Sequence, residues 1–243
     1  MDTNKRQIFK PMKINRDHTL IFTAAAIAFI TLQASCQPID NQGSNDQIVS
    51  QMNLPPVQVE PVDGLSRAYF ASGCFWCVEA VYESVKGVKE SISGYSGGHT
   101  KNPTYEESNT GRTGHAEAVE IIYDADVVSF STLVDVFFGS QNVTQVNGQG
   151  PDRGSQYRSI LFYQNDEQKK IIEDKIAVVN KALGGQKAAA EVYPFQKFWL
   201  GEAYHQDYEK RNPNQPYIRG VSVPRLKRFQ AKFPELLKED LDH

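Results

Sequence analysis

Thiols are scarce in this chain: only Cys36, Cys74 and Cys77 carry them, and the five histidines are scattered without ligand spacing. A structural zinc site asks for four ligands, so a metal-binding protein is a poor reading, and neither a metal nor an organic cofactor is expected. Positive charge is not in excess either. The net charge is −3, and no basic stripe interleaves with aromatics, which argues against a nucleic-acid partner. Internal repeats are absent. Beyond the N-terminal region no apolar run is long enough to span a bilayer.

What is present suffices for one well-packed catalytic domain with extensions, since 40% of the 243 residues are hydrophobic and 11% aromatic. The extension comes first. Lys5, Arg6, Lys10, Lys13 and Arg16 precede the uncharged apolar stretch Leu20 to Leu32, which Gln33-Ala34-Ser35-Cys36 follows. This is a signal-peptide pattern over 1–36, and the apolar run is shorter than the roughly 18 residues of a spanning helix. Cys36 resembles the lipid-accepting cysteine of bacterial lipoproteins, with small residues before it, although Gln33 departs from that signal. Ordinary cleavage and a retained anchor are the alternatives. From 37 to 66 the chain is polar, marked by Pro55-Pro56 and Pro61, and reads as a tether. The catalytic domain is then 67–243. The expected location is outside the cytoplasm, periplasmic or held on a membrane by the lipid.

The chemistry centres on Gly73-Cys74-Phe75-Trp76-Cys77. Ala68 to Ala71 reads as a short buried strand, Ser72-Gly73 as a turn, and Val78, Val81, Tyr82 and Val85 as the inner stripe of a helix ended by Gly87. Cys74 is expected in the first helical turn, where the helix dipole would favour its thiolate. Cys77, one turn on, would share its face. A thioredoxin-type redox pair, a metal half-site and two small buried cysteines all fit a C-x-x-C taken alone. In an oxidising compartment such a dithiol stays reduced only if something delivers electrons to it.

Further along, strands are expected at Lys89 to Gly94, Ala118 to Tyr123 and Tyr157 to Tyr163. Helices are expected at Phe130 to Phe138 and from Asn165 to about Leu183, closed by Gly184-Gly185. Val192-Tyr193 adds an edge strand, and Pro224 fits the first turn of a final helix. A long loop runs through Tyr95 to Tyr105. The sum is an α+β domain, a two-layer sandwich with long loops. Glu117 at the mouth of a strand could be a general acid or a solvated carboxylate. Tyr105, Tyr157 and Asp152 could serve a substrate or be ordinary core and turn residues, and His115 and His205 read as structural hydrogen-bonding groups.

Taken in order, Gly73-Cys74-Phe75-Trp76, Gly94-Tyr95-Ser96-Gly97-Gly98, Asn102-Pro103-Thr104-Tyr105, Thr113-Gly114-His115-Ala116-Glu117, Gly154-Ser155-Gln156-Tyr157-Arg158-Ser159 and Tyr204-His205-Gln206-Asp207-Tyr208 resemble the A-type peptide methionine sulfoxide reductases. The similarity runs from about Tyr69 to about Phe233. It implies a ferredoxin-like sandwich of that family's type, and reduction of the S epimer of methionine sulfoxide in peptides and proteins. By the resemblance Cys74 attacks the sulfoxide sulfur, and Phe75 and Trp76 line the methyl pocket. Glu117 supplies a proton, Tyr105 and Tyr157 hydrogen-bond the oxygen, and Asp152 orients the substrate. Cys74 is left as a sulfenic acid, which Cys77 resolves or an external thiol reduces. The implied partners are oxidised proteins or peptides and a thioredoxin-like reductant, and nothing demands more than a monomer. The enzymatic rival is a thioredoxin-like disulfide oxidoreductase built on Cys74 and Cys77.

Two departures from the family stand out. The recycling cysteine that some members carry after an Asn-Pro-Asn-Gln-Pro-Tyr segment is missing here, where Tyr217 is followed by Ile218. Gln141-Asn142-Val143 and Gly148 replace a His-Asp-Pro turn and an arginine, with an expected effect on loop rigidity and substrate fit.

Overall fold

The structure is a computed structural model that describes residues 52–239. The signal pattern, Cys36 and the tether up to residue 51 lie outside the described residues. Among the described residues no helix is long and apolar enough to cross a membrane.

The apolar run at Ala68–Ala71 becomes the middle of β1 (Leu65–Ser72). β1 pairs antiparallel with β3 (Ala116–Asp124) on one side and β6 (Ser159–Tyr163) on the other. β2 (Val88–Ser96) continues the sheet beyond β3, and β8 (Phe198–Leu200) closes that edge. At the opposite edge β7 (Glu191–Pro194) lies parallel to β6. The order is β7-β6-β1-β3-β2-β8. A two-stranded hairpin, β4 (Gly148–Gln149) and β5 (Asp152–Arg153), stands apart.

Both faces of the sheet are covered, and β1 and β6 accordingly carry the short apolar runs Ala68–Ala71 and Ile160–Tyr163. On one face Phe70 meets the rings of Tyr82, Phe130 and Phe137 at 5.7–5.8 Å, beneath α1 (Phe75–Glu83) and α3 (Phe130–Gly139). Leu133, Val134, Phe137 and Phe138 of α3 are buried, as the periodicity predicts. Each such side chain contributes roughly 1.5–3 kcal/mol by leaving water. On the other face Tyr69 and Ala71 join Ile160 and Phe162 in a smaller cluster, and Tyr69 stacks on Phe195 at 3.8 Å. That face is roofed by chain without helix: Val57 donates to the Phe195 carbonyl and Val59 to Gln164 Oε1, each at 2.8 Å. The end of the segment read as a tether therefore rests on the domain.

α4 (Asp166–Ala182) starts as expected, with the Asn165 side chain accepting from the Gln168 amide at 2.9 Å, and Gly184 and Gly185 follow its end with positive φ. After the short helix α5 (Tyr208–Arg211), α6 (Val223–Lys232) carries Pro224 in its first turn and follows a π-helical turn at Ile218–Ser222. Three expectations shift. Tyr157 belongs to a 3-10 turn, Ser155–Tyr157, and the strand begins at Ser159, because the Tyr157 amide bonds back to Gly154. The loop after Pro103 folds into a short helix, α2 (Tyr105–Asn109), held by a capping box between Thr104 and Glu107. α1 ends at Glu83, and Val85 instead bridges to Leu237.

Candidate active site

Four segments converge on the end of β1, and each is fixed by a bond that the local sequence supplies. Gly73 turns the chain out of the strand at φ +89, and a Cβ there would come within 2.5 Å of Gln149 Cβ. Only glycine fits that approach. Arg158, buried, donates to the carbonyls of Gly114 and Ser155 at 2.9 Å each, tying the Thr113–Glu117 segment to the turn that carries Tyr157. His115 accepts from the Gly98 amide at 3.0 Å and bonds the Thr100 carbonyl at 2.9 Å, so the loop leading to Tyr105 is pinned. Glu202 completes the frame by accepting from the Tyr95 hydroxyl and the Tyr105 amide, both at 2.8 Å.

Cys74 is the N-cap of α1 and not a member of its first turn. It is 6% exposed and its thiol is pushed well up by burial, with Cys77 and Glu117 adding to the rise. Burial thus works against the thiolate that the helix end was expected to favour. Its partner behaves in the opposite way. A hydrogen bond from Cys74 holds Cys77 down at about 7 against its own burial, with Arg225, Ser222 and Tyr217 helping. The two sulfurs, both free thiols in this state, titrate as a pair. The pair can therefore share one negative charge near neutral pH.

Glu117 is not the solvated carboxylate its strand-end position allowed. It is 2% exposed and accepts from the Phe75 amide at 3.0 Å. Burial pushes its pKa up to about 8, with the charges of Asp152 and Cys77 contributing, so it is a neutral acid at pH 7. Tyr157 and Tyr105 are both raised by burial and by the nearby charges of Glu117 and Cys74. They stay phenols, able to donate. Asp152, raised by burial, takes the Tyr217 hydroxyl at 2.6 Å.

The aromatic wall is rigid. Trp76 lies flat on Tyr208, rings 3.7 Å apart, and its indole N–H donates to His205 Nδ1 at 3.0 Å. His205 is fully buried and packs on Phe75 and Tyr105 at 4.7 and 4.6 Å. Phe75, 1% exposed, underlies this wall. The arrangement offers a nucleophilic sulfur, a neutral acid, two phenols and an aromatic wall.

Two participants, Tyr217 and Arg225, escaped the sequence reading, and Gln149 joins them from the polar segment 149–158. Tyr217 bridges Asp152 and Cys77, its hydroxyl 3.7 Å from the Cys77 sulfur. Arg225, buried in α6, donates to the carbonyls of Ser72 and Ser140 at 2.9 and 2.8 Å and reaches the Ser72 hydroxyl. Gln149 packs under Gly73 and bonds Gln141 and Asn142. The Tyr217 and Arg225 bonds are long-range pairings with no local periodic signal. Gln141, one of the family departures, takes bonds from Gln149 and Ser159 and so serves the scaffold.

A family model described as peptide methionine sulfoxide reductase matches residues 66–237. The chain is 47% identical over 172 residues to the Peptide methionine sulfoxide reductase MsrA of Pasteurella multocida, covering 71% of this chain and 98% of that one. It is 46% identical over 171 residues to the enzyme of that name from Saccharolobus solfataricus, covering 70% and 96%. Among solved structures it is similar to the methionine sulfoxide reductase A of Corynebacterium diphtheriae, with TM-score 0.58 and 31% identity over 67% of this chain and 84% of that one. The reduced form of Mxr1 from Saccharomyces cerevisiae gives TM-score 0.58 and 28% identity over 65% and 92%. With the family's model spanning most of its length and relatives matched nearly end to end, this chain belongs to the peptide methionine sulfoxide reductase family.

Proposed function

We propose that Cys74, Glu117, Tyr105, Tyr157 and Asp152 carry out the reduction of methionine sulfoxide that membership of this family assigns to the chain. The observation that carries the assignment is the neutral, buried Glu117 bonded to the amide that follows Cys74. A sulfoxide oxygen leaves only once protonated, and here the acid and the nucleophile are held by one turn.

The Cys74 thiolate attacks the sulfoxide sulfur while Glu117 gives its proton to the oxygen and the two phenols stabilise the charge on it. Methionine departs and the oxygen stays on Cys74 as a sulfenic acid. Cys77 then attacks the Cys74 sulfur, one water is released, and a Cys74–Cys77 disulfide remains. Both sulfurs lie within one helical turn, which supports this route. A thioredoxin-like reductant returns the pair to thiols.

The Trp76 wall and the oxygen donors define two of the substituents on a chiral sulfur, which supports selectivity for a single epimer, and the family relationship points to the S form. The ferredoxin-like description is supported by the chain order β1, α1, β2, β3, α3, β6 with those strands ordered β6-β1-β3-β2. Export, a lipid on Cys36, a domain running from 67 to 243 and a monomeric state remain part of this reading.

The test is turnover of separated S and R epimers of a peptide methionine sulfoxide by the full chain with dithiothreitol, and with Cys74→Ser. Consumption of the S epimer alone, abolished in the variant, is expected. Turnover that survives in Cys74→Ser would remove Cys74 from the mechanism.

A further inference from the structure

Cys77 forms part of the wall of a hollow of about 720 Å³, to which Cys74, Trp76, Tyr105, Glu117 and Tyr157 contribute nothing. The hollow lies between the end of α3, the β4–β5 hairpin and α6, and its volume is that of an ordinary small-molecule site. The hollow thus excludes the aromatic wall and meets the candidate site at Cys77 and Asp152.

Its charge is lopsided. Arg225, Arg228 and Lys232 recur at spacings of three and four along α6 and so share one face, all lining the hollow. Arg225 is spent on backbone carbonyls, as described. Arg228 and Lys232 are exposed. Arg228 has no hydrogen-bond or ion-pair partner among the described residues, and Lys232 only overhangs the Phe233 ring at 5.1 Å. The single carboxylate in the wall, Asp152, is occupied by the Tyr217 hydroxyl. Cys77 is itself only 2% exposed, so an attacking sulfur has to enter the hollow, which a slender molecule does more readily than a cysteine on a broad protein face.

We propose that this cleft also binds an anionic, peptide-sized thiol, its carboxylates on Arg228 and Lys232, which gives the Cys74–Cys77 disulfide a second route of reduction beside the thioredoxin-like protein, by attacking Cys77. The proposal rests on the disulfide cycle given above. The incoming thiolate forms a mixed disulfide with Cys77, and the electron pair of the broken bond leaves on Cys74, regenerating the nucleophile at once. A second thiolate attacks the outer sulfur of the mixed disulfide, frees Cys77 and departs as the oxidised dimer. Two thiols are oxidised for each disulfide reduced.

The experiment follows reduction of the oxidised full chain, its disulfide verified by intact mass and thiol titration, by glutathione and by glutathione diethyl ester. The two probes share a skeleton and differ in their carboxylates. After correction for thiol pKa, glutathione is expected to react roughly tenfold faster, an advantage that shrinks at high salt. In Arg228→Glu/Lys232→Glu, both surface positions, the advantage should disappear or invert while the melting temperature holds. Equal rates in the wild type, or a preference that survives charge reversal, would overturn the proposal. Charge reversal that slows a thioredoxin-like protein but leaves the glutathione preference intact would assign the face to a protein partner and overturn it as well. Absence of the disulfide in the sulfoxide-treated chain would be a separate observation, bringing down the cycle itself.

Discussion

Glu117→Gln should weaken catalysis and strengthen the fold, and the two effects should depend on pH in ways that identify their common cause. The glutamine oxygen can still accept from the Phe75 amide, so the geometry at Cys74 is retained, but no proton is available for the sulfoxide oxygen. Loss of a general acid costs about 10²–10⁴-fold, and kcat should fall within that range. The stability effect runs the other way. Glu117 is raised from 4.5 to about 8, which corresponds to at most about 5 kcal/mol between its two protonation states. The folded protein holds this proton more tightly than the unfolded chain, so stability is fully present below about 4.5 and is lost as pH rises through about 8. Glutamine carries no such penalty. At pH 5 the variant should be ahead by no more than about 1 kcal/mol, roughly 2–4 °C, and by pH 9 it should be more stable by about 2–5 kcal/mol. For a domain of this size that is roughly 4–20 °C in Tm. Calorimetric scans at both pH values, alongside kcat/KM from pH 5 to 9.5, are the assay. The wild-type rate should decline as pH rises through about 8, and the variant should lack that decline. A variant equally destabilised at both pH values would show that Glu117 is not held neutral by burial, and the acid role would go with it.

Cys77→Ser should still release methionine in a single turnover but accumulate a Cys74 sulfenic acid, trapped by dimedone and seen by mass spectrometry. Disulfide-linked monomer in that variant, or unimpaired steady-state turnover with a protein reductant, would contradict the resolving role. Gly73→Ala places a Cβ 2.5 Å from Gln149 at a left-handed φ. A loss of about 1–3 kcal/mol is expected, read as a Tm drop of roughly 2–12 °C, and Gln149→Gly should relieve part of it. An unchanged Tm would refute the close approach.

Much of the scaffold could be read locally. The apolar runs of β1 and β6, the buried stripe of α3, the Asn165 cap of α4 and Pro224 at the start of α6 are signals carried by a few adjacent residues. The short helix α2 was equally legible, since Thr104 and Glu107 make a capping box, but the glycine- and proline-rich approach masked it. β8 and the β4–β5 hairpin were not legible, because two or three residues hold no period and their pairing is set by distant chain. The site divides along the same line. Motifs located Cys74, Tyr105, Glu117 and Tyr157, whereas Arg225, Tyr217 and Glu202 act through contacts with residues far away in sequence. The electrostatics of the cysteine pair also lay beyond the sequence. Whether a helix end or burial governs Cys74 depends on how deeply the turn is packed.

The indole of Trp76 has an optical consequence. The chain contains only two tryptophans, and Trp76 is flanked in sequence by Cys74 and Cys77, clamped by Tyr208 and His205, while Trp199 sits on the edge strand β8 with Lys197 over its ring. A disulfide sulfur quenches indole emission at short range. The protein therefore carries a built-in reporter, whose brightness follows the oxidation state of the neighbouring sulfurs through each turnover without any added label.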